Sequence, residues 1–470
     1  LSTNTEASGR YHSKWLNMMY PRLFLAKNLL RQDGVIFVSI DDHEVHNLRC
    51  VMNEIFGEEN FVAHVAWEKR FTRNNDAKLM SSVIDHILVY RKQDLQRLRE
   101  PRTEKANSIY SNPDNDPRGD WTSVSYISQR TKEQRANLAY SIINPITKQE
   151  VVHPVNAWKY SKEVCDKHLA ENRLYWGKNG ENQFPRLKRF LSELNDGIVP
   201  VNLWNYKDTG TIDDGTKTVD ALIGKDVFDY PKPVSLISRM LNLVNAEDDD
   251  IILDFFGGSG TTAHAVIDYA THKNKAVKFI LVQLPEIISK DKLSFTKGYK
   301  NIAQVCRERV KQVIKTTIKD SKGLLALDKQ SFDLGFKALK LTSSNFKEWQ
   351  PEKTGTGEAA LAEQLRLHIE NVKDQRTPLD IAYEIVLKLG YELSVALEEV
   401  QINKQSVYSV ANGEFLLCVE KQIKPETLRE MMKRKPKRIV CLDVAFSGND
   451  ELKTNIVLEM QSHDIEFHTV

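Results

Sequence analysis

No run of about 18 apolar residues occurs in this chain, which excludes a hydrophobic membrane-spanning helix. Cysteine is sparse. The five residues, Cys50, Cys165, Cys306, Cys418 and Cys441, are odd in number, widely scattered and without a C-x-x-C pair, so they read as reduced packing residues and not as zinc or redox ligands. The H-E-x-x-H spacing of a zinc site is missing too, because His43-Glu44-Val45-His46 is one residue short and its two histidines would not share a helix face. An excess of either charge is also absent: 66 Lys and Arg stand against 64 Asp and Glu, with 41% hydrophobic and 28% charged residues, the composition of an ordinary large enzyme. At 470 residues, two or three domains are expected in place of one core. The expectation is of a chain without a cleavable signal and of a cytoplasmic location.

The most informative stretch is Asp254-Phe255-Phe256-Gly257-Gly258-Ser259-Gly260-Thr261-Thr262, at the end of the apolar run 251–253. It reads as a buried strand that breaks into a glycine loop and then a helix over 262–270, the arrangement by which α/β proteins hold a small ligand at the carboxyl ends of their strands. Glycines allow backbone to approach that ligand. Three readings of the loop alone remain open: a tight turn, a dinucleotide fingerprint, since Gly258 to Ala263 fits G-x-G-x-x-G/A, and, most weakly, a phosphate loop without the Gly-Lys-Ser/Thr that should follow.

The full string resembles the S-adenosyl-L-methionine motif of amino-methylating DNA methyltransferases, Asp-Pro/Phe-Phe-x-Gly-Ser-Gly-Thr-Thr. Its surroundings carry the resemblance further. Phe228-Asp229-Tyr230-Pro231-Lys232-Pro233, before a helix over 234–244, is similar to the Lys-Pro segment that meets the methionine part of the cofactor. Lys278-Phe279-Ile280-Leu281-Val282-Gln283-Leu284-Pro285-Glu286 is similar to the next strand, whose end holds the ribose hydroxyls; either Gln283 or Glu286 fills that place.

At the start of the chain, apolar residues at helical spacing run over 15–30, and Gly34 precedes Val35-Ile36-Phe37-Val38-Ser39-Ile40, apolar on both faces as in a central parallel strand. Asp41 and Glu44 resemble a capping box for a helix through Phe56, closed by Gly57. With Phe61-Val62 and Ile84-Asp85-His86-Ile87-Leu88-Val89-Tyr90, the chain resembles through most of its length the Mod subunit of type III restriction-modification systems. The order, target-base half first and cofactor loop later, is that of the permuted beta class of adenine-N6 methyltransferases. The resemblance implies an α/β, Rossmann-like sheet divided as follows: 1–92 the first methyltransferase half, 93–200 a target-recognition insertion, 201–320 the cofactor-binding half, and 321–470 a smaller α/β assembly domain. It implies double-stranded DNA as substrate, and a second Mod copy and the Res helicase-nuclease subunit as partners. A non-catalytic recognition or assembly remnant and a cytosine-N4 enzyme remain the alternatives.

The catalytic tetrapeptide of that family, Asp/Asn/Ser-Pro-Pro-Tyr/Phe, occurs nowhere in these residues. In relatives it would lie upstream of Leu1, so an N-terminally truncated sequence is the expectation. In the family its acceptors draw electron density onto the adenine amine and its aromatic ring stacks on the flipped base. No methyl transfer is therefore expected from this chain alone. The strand before the tetrapeptide would lie beside 251–255, so its loss predicts two unpaired apolar edges.

Charge is unevenly spread. Residues 66–200 hold 23 Lys and Arg against 17 Asp and Glu, a net of +6, leaving −4 elsewhere. Lys69, Arg70, Arg73, Lys78 and Arg130 are the DNA-phosphate candidates, in the place of the target-recognition insertion. Trp121, Trp158 and Trp176 there are expected in the core, and 112–120 in an exposed loop. Further on, 322–353 reads as linker plus strand, 354–357 as a flexible joint, Thr377 as the cap of a helix ending at Gly390, and 424–434 and 438–444 as a helix and a strand.

Overall fold

The computed structural model describes residues 11–73, 79–95, 98–102, 104–194, 197–321, 334–347 and 371–470. It divides into two units, Leu1–Gly335 and Phe336–Val470. The joint expected at 354–357 and much of the linker before it lie outside the described residues.

In the first unit, helix α1 (Tyr11–Leu29) leads to β1 (Val35–Ile40), α2 (Val45–Phe56), β2 (Phe61–Glu68) and β3 (Ile84–Arg91). With the short β11 (Leu203–Trp204) these strands form a sheet of order β1-β3-β2-β11. Alternation along the strands separates two cores. Ile36, Val38, Ile40, Leu88 and Tyr90 meet α1 and α2, while Phe37, Ile87, Val89, Val65 and Trp67 face the opposite side. The expectation of a central parallel strand fails for β1. Its one partner among the described residues is β3, which runs antiparallel, and every residue of β1 is only half-buried. Double-sided apolarity reports what the strand would bury if both edges were occupied, not what pairs with it. The expected Asp41–Glu44 box is also not formed: Asp41 accepts from the His43 amide, while Glu44 turns to His12 and Asn47, and α2 begins without a side-chain cap. Gly57 does end α2, at φ 94°.

Between β3 and β11 the insertion builds its own small core. Strands β4 (Trp121–Ser125), β10 (Arg186–Phe190) and β9 (Leu174–Tyr175) form one sheet. Two ribbons, β5 (Ile127–Thr131) with β8 (Asn156–Trp158) and β6 (Ile142–Ile143) with β7 (Glu150–Val151), and helix α3 (Lys162–Ala170) complete it around Tyr126, Trp158, Trp176 and Cys165. The loop 112–120 is mostly exposed, as expected, with one buried exception. Asp116 is buried on Arg118 at 2.8 Å and Lys188 at 2.9 Å, and the Arg118 guanidinium above all holds its carboxyl far below the usual range. Asp114 joins the same ammonium. These contacts make Lys188 an interior ion-pair residue.

The cofactor half follows: α4 (Ile212–Ile223), α5 (Val234–Val244), β12 (Ile251–Asp254), α6 (Thr261–Lys273), β13 (Lys278–Leu281) and α7 (Ile302–Ser321). Strands β12 and β13 are parallel and pair with each other alone among the described residues. Helix α5 joins this pair to the first sheet, giving Leu236, Met240 and Leu243 to one core and Leu241 to the other. Arg31, just before β1, meets Asp250, just before β12, at 2.6 Å, and Phe255 packs with the β1 core. The starts of β1 and β12 are thus tied together, but no strand pairing joins the two; each has one edge unpaired among the described residues, and Ile251 is 53% exposed.

The second unit is a five-stranded sheet in chain order: β14 (Leu397–Ile402), β15 (Gln405–Val410), β16 (Phe415–Cys418), β17 (Arg438–Cys441) and β18 (Glu466–Thr469). Its first two pairings are antiparallel and its last two parallel. Leu416, Ile439 and Cys441 face α9 (Pro425–Lys433) and α10 (Asp450–Ser462), whereas Phe415, Leu417 and Val440 face α8 (Pro378–Lys388). Thr377 and Asp380 cap α8 reciprocally, and the strand expected over 438–444 stops at Cys441, before a short 3-10 turn.

Candidate cofactor and nucleic-acid site

Strand β12 ends on Asp254, and the chain then turns through Gly257 to Gly260 into α6. Asp254 organises the turn: one oxygen accepts from the Phe256 amide at 3.0 Å and the other from the Thr262 hydroxyl at 2.6 Å. A carboxylate offers about four acceptor positions, so capacity for a ligand remains. Gly258 and Gly260 sit at φ 52° and 82°, in the left-handed region that favours glycine. At Gly260 a Cβ would also come within 3.2 Å of Cys306 carbonyl and sulfur, so α7 packs directly behind the loop.

Gln283, beyond the end of β13, reaches back so that its side-chain oxygen accepts from the Gly258 amide at 2.7 Å. Glu286 lies three residues on, half-buried, with its backbone carbonyl accepting from Ile302 at the start of α7. Phe255 is committed to the β1 core, but Phe256 stays 45% exposed at the mouth of the loop.

The Lys232-Pro233 segment is tied to the loop at two levels. The Thr261 hydroxyl donates to the Lys232 carbonyl at 3.2 Å. The Lys232 ammonium lies 3.3 Å from Asp85 on β3 and 5.1 Å from the Trp67 ring centre on β2. Asp85 is almost fully buried and also holds Lys69 at 2.6 Å, so one carboxylate serves two ammonium groups. A glycine permits the approach: a Cβ on Gly215 in α4 would lie 2.2 Å from the Pro231 carbonyl oxygen.

Asp85, Gly215 and Arg309 were not singled out by sequence reasoning. Arg309 on α7 is completely buried and donates to Ser259 Oγ at 2.8 Å and Thr261 Oγ1 at 2.9 Å. Asp85 does stand inside the quoted Ile84 to Tyr90 run, where a lone acid in an apolar strand was the available signal.

The expected phosphate-binding residues differ in exposure and in partners. Lys69 pairs with Asp85 next to Lys232, which engages its ammonium within the protein. Arg70 is half-buried, Arg73 and Arg130 are exposed, and Lys78 lies outside the described residues. Trp121, Trp158 and Trp176 are all buried, as expected of core residues. Among the described residues, no group of three or more His, Cys, Asp or Glu could hold a metal ion, and no helix is long and apolar enough to cross a membrane.

Residues 3–284 match the DNA methylase family of N6 and N4 methyltransferases. The chain is 35% identical over 305 residues to the StyLTI Mod subunit of Salmonella typhimurium, a type III restriction-modification enzyme, covering 64% of this chain and 45% of that protein. It is 30% identical over 343 residues to the type III EcoPI Mod subunit of Escherichia phage P1, covering 66% and 52%. The chain thus spans about half the length of these curated relatives. Among solved structures, the putative DNA modification methylase TTHA0409 of Thermus thermophilus, complexed with S-adenosyl-L-methionine, aligns at a TM-score of 0.28 and 13% identity, covering 64% of this chain and 79% of that one. By the match through more than half its length, this chain belongs to the DNA methylase family.

Proposed function

We propose that this chain provides the cofactor-binding and DNA-recognition parts of a type III Mod subunit, which methylates adenine N6 in double-stranded DNA from S-adenosyl-L-methionine. The observation that carries this reading is the joining of two separate segments, the loop Asp254 to Thr262 and Lys232-Pro233, by the Thr261 hydroxyl. Bound cofactor would supply an electrophilic methyl on a sulfonium. The chain's own residues do the holding. The glycine turn admits the ligand close to backbone, Asp254 offers its spare acceptor positions, and Gln283 or Glu286 takes the ribose hydroxyls. Lys232 and Phe256 border the same space.

The 470 residues contain no Asp/Asn/Ser-Pro-Pro-Tyr/Phe tetrapeptide, so the groups that accept from the adenine amine must be supplied by another segment. The insertion over 93–200 then recognises the target, with Arg70, Arg73, Lys78 and Arg130 neutralising phosphates. The C-terminal unit serves assembly with a second Mod copy and with the Res subunit.

Calorimetric titration with S-adenosyl-L-methionine tests the cofactor half. Binding by the wild-type chain that is lost in a folded Asp254→Ala variant is the expected result. A folded wild-type chain that takes up no cofactor would leave a DNA-recognition or assembly piece as the better description.

A further inference from the structure

Arg309 is an unusual residue to find where it is. Its side chain has no exposed surface, its Nε has no hydrogen-bond partner, and among the described residues no carboxylate lies within ion-pairing distance of it. Buried arginines are normally neutralised, because removing a full charge from water is costly. Here the guanidinium meets only neutral groups: the hydroxyls of Ser259 and Thr261, and His264 Nδ1 at 3.3 Å from its second terminal nitrogen.

Arginine can only donate, which fixes the direction of every neighbouring bond. Thr261 Oγ1 must accept from Arg309, so its proton is directed to the Lys232 carbonyl. One guanidinium thereby links α7, the glycine loop and the Lys-Pro segment. His264 Nδ1 must likewise be the unprotonated nitrogen, leaving the proton on Nε2, 3.4 Å from the Asp268 carboxylate. Burial and the Arg309 charge together draw the His264 pKa down to about 4, so this histidine does not add a second cation. The result is a guanidinium behind the N-terminal turn of a 13-residue helix, in contact with no carboxylate and separated by the His264 ring from Asp268, the anion that partly offsets it; the helix's own free amides favour an anion in front of them.

We propose that Arg309 is a positioning residue of the cofactor site, fixing Ser259, Thr261 and the Lys232 carbonyl and making the front of the loop selective for the carboxylate of an amino-acid-bearing ligand. This deepens the cofactor reading above and rests on it. S-Adenosyl-L-methionine carries such a carboxylate; 5′-methylthioadenosine has the same adenosine and sulfur but no amino-acid part.

Affinities for these two compounds, measured by calorimetry on the full chain, test the assignment. Arg309→Gln should weaken S-adenosyl-L-methionine binding at least tenfold and change that of methylthioadenosine less than twofold, with Arg309→Lys recovering part of the loss. Thr261→Val breaks the link to Lys232 while leaving Arg309 in place, and should show the same selective loss even if Arg309→Gln does not fold; Thr261→Ser should restore it. Equal loss of both compounds in the folded variants, or no loss of either, overturns the proposal while leaving the cofactor reading intact. A folded wild-type chain that binds neither compound overturns both.

Discussion

Gly215 matters through an atom it lacks. The Pro231 carbonyl occupies the place of its Cβ, 2.2 Å from the ideal position, and that carbonyl is backbone that cannot swing aside as a side-chain end could. Gly215→Ala should therefore displace Pro231 and Lys232 from α4, lower stability by about 1–3 kcal/mol as overpacking does, and weaken cofactor binding about tenfold. Chemical denaturation and titration read the two effects separately; an alanine variant with wild-type values in both would show that the segment does not depend on this contact. His264 is a second residue-level case. Its folded pKa of about 4 lies below the ordinary 6.5, so the unfolded chain takes up a proton between those values and the native one does not. Its contribution is complete above about pH 6.5 and is lost as pH falls toward 4, on the order of 3 kcal/mol across the window. His264→Asn keeps an acceptor for Arg309 without titrating. Urea midpoints at pH 7.5 and 4.5 should fall less in this variant than in wild type, and equal falls would remove His264 from the acid sensitivity.

At the scale of elements, the decisive fact is an interrupted sheet. Strands β1 and β12 belong to separate sheets, each with one edge unpaired among the described residues, and Ile251 is exposed where a parallel sheet would bury it. Hydrogen exchange should find alternate amides in Val35–Ile40 and Ile251–Asp254 unprotected while their neighbours, paired to β3 and β13, exchange slowly. Fusing a tetrapeptide-bearing strand ahead of residue 1 should slow the unprotected set. Uniform protection in the present chain would mean that the edges are already covered. This gap also marks what the sequence can tell. Helix Val234–Val244 and strand Val35–Ile40 were readable to the residue because periodicity and flanking turn residues are local properties. The glycine loop was readable for the same reason, since its residue types answer to the demands of one turn and one helix start. The Lys232–Asp85 pair spans 147 positions and leaves no local trace, and the same holds for Arg309 beneath Thr261. The Lys69–Asp85 pair is hidden for the same reason: within Lys69-Arg70 both look like surface charge, and only the pairing of β2 with β3 brings one of them to Asp85.

For the whole molecule, the question is where its uneven charge acts. Internal ion pairs leave the net +6 of residues 66–200 unchanged but decide which residues carry it: Lys69, Arg118, Arg173 and Lys188 are all engaged by carboxylates within the protein. Arg73, Arg130, Arg186 and Arg189 are exposed and Arg70 half so. About three to five phosphate contacts are then the expected number, and each contributes a slope of about −0.9 to the dependence of log binding constant on log salt. Duplex binding by the chain should give a slope of about −3 to −5. Arg73→Ala and Arg130→Ala should each reduce it by about one. Lys69→Ala separates the two roles that the sequence left combined. If its ammonium serves the Asp85–Lys232 cluster, the salt slope stays at the wild-type value while S-adenosyl-L-methionine binding weakens; a reduced slope with unchanged cofactor affinity would return Lys69 to the DNA-facing set and detach Asp85 from the cofactor site.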